Sequence, residues 1–154
     1  MDYQKVNSMT TSCMTITIII STAGAAVILS PPGIASVCNR DELELICTIR
    51  SGRVLEWSIT LMLPEDMTLE HVVDSVTQMF PMHTITVDGS VMFTFSRISP
   101  PNTQPLISQL LISPATSIVN GSEVVCADRE TRNSTSTTVN VVHNNASNDT
   151  LIGN

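Results

Sequence analysis

Residues 43–61 read LELICTIRSGRVLEWSITL, and this stretch decides the fold. Leu43, Leu45, Cys47 and Ile49 alternate with Glu44, Ile46 and Thr48. That period of two marks a half-buried strand. Arg50-Ser51-Gly52-Arg53 is a tight connection, and Val54 to Met62 forms the next strand with Leu55, Trp57 and Ile59 on one face. Cys47 and Trp57, the sole tryptophan, can therefore face the same interior.

Working outward, Met82–Val87 and Ser90–Ile98 flank Asp88-Gly89, a strong signal for a type I′ hairpin. Ser99-Pro100-Pro101-Asn102 is a turn, and Leu106–Ile112 is a strand that stops near Pro114. After a turn at Val119-Asn120-Gly121-Ser122, Glu123–Asp128 carries Cys126. Arg129–Asn133 is a loop, and Ser134–Val142 is a β-branched final strand. Upstream, Ala26–Ser30 is a short strand broken by Pro31-Pro32-Gly33, as prolines do on edge strands, and Ile34–Cys38 resumes it. The segment 66–80 reads differently. Leu69, Val72, Val73, Val76 and Phe80 fall at helical spacing behind Pro64-Glu65-Asp66, a suitable helix start. One or two helical turns are expected there, against the alternative of a loose edge strand and loop. Eight or nine short strands with regular turns within 26–142 mean a β-sandwich.

Composition bounds the function. The chain has 154 residues, a length for one domain, and 42% of them are apolar. Seven Lys and Arg against 14 Asp and Glu give a net charge of −7, which argues against nucleic acid, whose phosphates demand cationic surface. Residues 1–25 are read as a signal peptide: Lys5 flanks the apolar run Met14–Ser21, and Ala23-Gly24-Ala25 offers a small-x-small cleavage site. An uncleaved anchor over Met14–Leu29 is the alternative, short against the roughly 20 residues a spanning helix needs. A membrane would be reached only through that anchor or a missing one. Asn120, Asn133, Asn145 and Asn148 each begin an N-x-S/T sequon, which supports a secreted or cell-surface chain. Residues 143–154 are a polar, flexible tail.

In a sandwich the second and penultimate strands lie in opposing sheets. A bridge between Cys47 and Cys126 would cross the core, with Trp57 packed against it. Its indole N–H then needs a partner or an exposed edge. Closing so long a loop would stabilise the fold by about 4–5 kcal/mol in the chain-entropy model.

With LELIC, LEW, MFTFSR, LISQLLI, VVCAD and STTVNVV in place of strands B to G, the chain resembles a V- or I-type immunoglobulin-like domain over 26–142. V-C-x-x-D-x-L-E-L-x-C at its start is similar to small secreted or membrane-tethered domains of early-branching animals. The resemblance implies an all-β, immunoglobulin-like sandwich of two antiparallel sheets, with room for a short helix in the C–D region. It also implies a Cys47–Cys126 disulfide and a core around Trp57, Leu45 and Leu55. Three departures stand out. Val124 occupies the place of the family's corner tyrosine. Asn120 replaces the usual aspartate, so Arg97 lacks its customary salt-bridge partner and packing is left to hold that end. Cys38 is left over after cleavage, either as an unpaired thiol or bridged to another chain or a missing segment.

Chemistry is sparse. His71, His83 and His143 are scattered. His71 and Asp74 would share a helical face without a third ligand, so no metal site is expected. Glu65, Asp66, Glu70 and Asp74 form an acidic cluster whose spacing matches no calcium loop, so a solvated face is the default. Neither a nucleophile elbow nor a phosphate loop is present. No enzyme activity and no cofactor are expected. Arginine is more informative. Removing residues 1–25 takes Lys5, the sole lysine, and leaves six arginines. Arg50 and Arg53 fall in the B–C turn, and Arg129 and Arg132 in the F–G loop. In an immunoglobulin-like sandwich these loops share one end. Arginine forks suit carboxylate, sulfate or phosphate. The plain alternative is a charged turn in which Asp128 and Glu130 neutralise their neighbours. The expected function is extracellular recognition or adhesion, binding a protein or acidic glycan through those loops. The alternatives are a spacer from a larger multi-domain receptor and a secreted enzyme on a sandwich scaffold.

Overall fold

The computed structural model describes residues 26–62, 66–77 and 82–143. Ten strands form two sheets of five: β1 (Val27–Ser30), β3 (Leu43–Ile49), β8 (Leu106–Ser113), β7 (Val91–Arg97) and β6 (His83–Val87) in that order, and β2 (Gly33–Cys38), β10 (Ser134–Val142), β9 (Glu123–Asp128), β4 (Val54–Leu61) and β5 (Met67–Asp74) in the other. Helix is confined to one 3-10 turn at Ser117–Val119 among the described residues. The all-β sandwich expected from the alternating stripes is the observed architecture.

The stripes point as their period dictates. Leu43, Leu45, Cys47 and Ile49 are buried while Glu44 is exposed. Leu55, Trp57, Ile59 and Leu61 do the same on β4. With Phe93 and Phe95 of β7 and Leu106, Leu110 and Ile112 of β8 they fill the space between the sheets. Cys47 and Cys126 are bridged through this core, with a Cα–Cα distance of 6.4 Å inside the range a disulfide spans. Trp57 stands directly across from Cys126 in the β4–β9 pairing, so the indole lies beside the bridge. Its Nε1–H donates to Ser108 Oγ at 2.9 Å, and Ser108 Oγ donates onward to Ser96 O at 2.8 Å. The indole donor thus has a partner on the opposite sheet.

One expectation is refined and two need correction. The sheets are not wholly antiparallel: β2 runs parallel to β10, from Gly33 beside Thr137 to Cys38 beside Val142. The cause is the Pro31-Pro32-Gly33 break, where two residues lack a donor and Gly33 adopts φ +73°. The chain leaves β3 at Ser30 and crosses to the other sheet. The helical turns expected in 66–80 are instead strand β5 over residues 67–74, paired antiparallel to β4. Leu69, His71 and Val73 face inward there, while Thr68, Glu70 and Val72 are exposed. Residues 78–80 of that segment lie outside the described residues. Finally, Cys38 is disulfide-bonded, so the unpaired-thiol alternative fails.

The hairpin signal holds. Asp88 (φ 53°) and Gly89 (φ 62°) are both left-handed, as a type I′ turn between β6 and β7 requires. Arg97 is also better held than expected. Although Asn120 offers it no carboxylate, its buried guanidinium donates from Nη1 to Asp74 O at 3.0 Å, tying β7 to the end of β5 across the sandwich. Asn120 serves elsewhere: its Oδ1 accepts the Val141 N–H at 2.9 Å.

Candidate functional site

The turn between β3 and β4 and the loop between β9 and β10 meet at one end of the sandwich. Arg129 N donates to Val54 O at 3.0 Å, and Gln104 Nε2 reaches Gly52 O at 3.2 Å. Gly52 itself is buried against the Asp128 side chain, where any Cβ would overlap the carboxylate. The residue type is therefore fixed by a close approach.

Asp128 makes no close ion pair with the neighbouring arginines among the described residues. It is fully buried, and its Oδ1 accepts the backbone N–H groups of Glu130 at 3.0 Å and Thr131 at 3.4 Å. Such an Asx-type turn shapes the loop from within. Arg132 N donates to Asp128 O at 2.8 Å, and Arg132 sits at φ +64°, an uncommon conformation for a residue with a side chain.

The four arginines then divide. Arg129 and Arg132 line an open groove of about 500 Å³ together with Glu56, Ser58, Val125, Ala127, Asp128 and Ser134. Arg50 and Arg53 are exposed at the same end but do not line it. Arg129 Nε lies 3.6 Å from Glu56 Oε2, with the arginine side chain 61% exposed. Exposed pairs of this kind are worth about 0–1 kcal/mol. Arg132 makes no ion pair among the described residues. Glu56 and Ser58 are groove residues that the sequence reading passed over, although their place on the outward phase of β4, either side of Trp57, puts them on this face.

The other expected residues are spread out. Asn133 is exposed next to Ser134 at the groove, and Asn120 is exposed on the connection between β8 and β9. Asn145, Asn148 and the signal segment 1–25 lie outside the described residues. Asp74 does not work with His71 on a helical face. Its Oδ1 accepts from Val76 N, Thr77 N and Thr77 Oγ1, each within 2.8 Å. These bonds, led by the Thr77 backbone, hold its carboxyl below the ordinary value. His71 instead stacks on His83. Among the described residues no group of three His, Cys, Asp or Glu side chains is placed to hold a metal, and no helix is long and apolar enough to cross a membrane.

In comparison with known proteins, no family model matches the chain and no curated protein matches it significantly.

Proposed function

We propose that the chain is an immunoglobulin-like recognition module of the extracellular space, whose loop end captures an anionic group on a protein or glycan. The strand order supports the immunoglobulin-type reading. β3, β8 and β7 share one sheet and β10, β9 and β4 the other, with the bridged cysteines on β3 and β9 and the tryptophan beside them. A core disulfide suits an oxidising compartment, and the exposed sequons Asn120 and Asn133 suit a secreted, glycosylated chain. Fold alone does not assign function, so the site has to carry it.

The observation that carries it is the Arg129–Arg132 pair at the groove. Arg132 is held in left-handed backbone by the loop and has no counter-ion among the described residues. Arg129 has only a long, exposed contact to Glu56, which an incoming carboxylate or sulfate can replace at little cost. Backbone held in a sparsely populated conformation is a pointer to function. Arg50 and Arg53 extend the cationic rim of an otherwise acidic molecule and steer the same ligand.

The test is binding of the purified domain to arrays of sulfated and uronate-containing oligosaccharides and to acidic peptides, repeated with Arg129→Glu/Arg132→Glu and with all four arginines reversed. Binding should be lost in the double variant with the melting temperature nearly unchanged. Undiminished binding by the fourfold variant rejects the site.

A further inference from the structure

The lateral edges of the two sheets meet through imidazoles. β5 ends one sheet and β6 ends the other. His71 of β5 and His83 of β6 stack face to face, with ring centroids 4.8 Å apart and planes 3° from parallel. His71 also rests on Phe95 of β7 at 4.7 Å. Two neutral imidazoles pack well in this arrangement, whereas two imidazolium rings at that spacing repel.

We propose that the His71–His83 stack is an acid-released clasp, closing the edge of the sandwich at neutral pH and letting β5 and β6 part as the pH falls. The surroundings offer the extra charge little relief. On β7 the facing charged group is Arg97, a third cation, which lines a small cavity of about 60 Å³ with His71, Asp74 and Thr77. On β4 the inward residues Leu55, Trp57 and Ile59 carry no charge, and Ile85 and Val87 of β6 carry none either. On β5 the nearest carboxylates are Glu70, which is exposed on the outer face, and Asp74, whose Oδ1 is occupied by Val76 and Thr77. Asp88 sits in the turn at the far end of β6.

The sign follows from His71. Burial first, and His83 second, push its pKa below the ordinary 6.5. A histidine with a lowered folded value takes up its proton more readily once released. The clasp is therefore fully closed above about pH 6.5 and weakens as pH falls. The disulfide at the centre of the sandwich keeps β3 and β9 together throughout, so release is confined to the edge.

Hydrogen exchange followed by mass spectrometry at pH 7.4 and pH 5.5, corrected for the intrinsic pH dependence of exchange, reads this directly. Protection of β5 and β6 should fall by about fourfold or more at the lower pH, the Boltzmann factor for two unit charges about 5 Å apart even at the dielectric of bulk water. Protection of β9 should not change. His83→Phe keeps a ring against His71 at an exposed position and should weaken the acid response, leaving only the part that the burial of His71 supplies. Equal protection of β5 and β6 at both pH values overturns the proposal, and so does an undiminished response in His83→Phe.

Discussion

Ser108→Ala tests how the interior is held together. Ser108 is fully buried on β8, and its hydroxyl does two things at once: it accepts the Trp57 Nε1–H at 2.9 Å and donates to Ser96 O at 2.8 Å. Alanine removes both and leaves a cavity too small for water, so the buried indole donor loses its acceptor outright. An orphaned buried donor costs about 1–3 kcal/mol. The Ser96 carbonyl, in a strand ladder with a second lone pair to spare, adds less. We expect destabilisation of about 2 kcal/mol, a fall in melting temperature of about 8 °C for a domain of this size. Urea unfolding followed by the fluorescence of the single tryptophan measures it, and the emission of the folded state should shift as the indole loses its partner. A double cycle with Trp57→Phe, followed by circular dichroism, separates the hydrogen bond from packing. In the Phe background Ser108→Ala should cost under about 1 kcal/mol. If Ser108→Ala lies within 0.5 kcal/mol of wild type, where about half a kilocalorie marks an ordinary surface change, the bond across the sheets is not a stabilising one.

Two other measurements bear on the loops and the edge. Gly52→Ala places a methyl group on the Asp128 carboxylate and should cost about 1–3 kcal/mol in chemical denaturation, as overpacking does, with exchange rising in both adjoining loops; a neutral substitution would show that the two loops do not meet there. The Asp74 carboxyl should titrate below its ordinary 3.8 by nuclear magnetic resonance, so its contribution to stability is complete above about pH 4 and fades as pH falls through the folded value; Thr77→Val removes the hydroxyl donor and should move the titration part-way back, the backbone N–H of residue 77 remaining.

Much of the architecture was legible because period-two stripes are hard to mistake when both the inward and outward residues are typical. β3, β4, β8, β9 and β10 fall within a residue or so of where alternation put them, and Asp88-Gly89 located its hairpin. β5 was misread for a specific reason. Its inward positions are Leu69, His71 and Val73, and the histidine breaks the apolar stripe. Without it, the remaining valines and leucine mimic helical spacing. What gives His71 an inward place is its stacking on His83 and Phe95, contacts from the other sheet that no local pattern encodes. The arginine rim was legible as two loops at one end, but not its division into a groove pair and an outer pair. That division depends on Glu56 across the sheet and on Asp128 turning inward to hold the loop. The partner of the Trp57 indole was likewise invisible, since Ser108 looks like any other strand serine until β8 is set opposite β4.

The parallel junction between β2 and β10 has a mechanical consequence. Six residue pairs are aligned along it, from Gly33–Thr137 to Cys38–Val142. Because the two strands run the same way, tension that enters ahead of β2 and leaves behind β10 slides one along the other and strains every rung together. An antiparallel pair pulled from adjacent ends peels open one rung at a time. The crossing at Pro31-Pro32 thus gives the domain a seam that resists stretching, a useful property for anything strung between two surfaces.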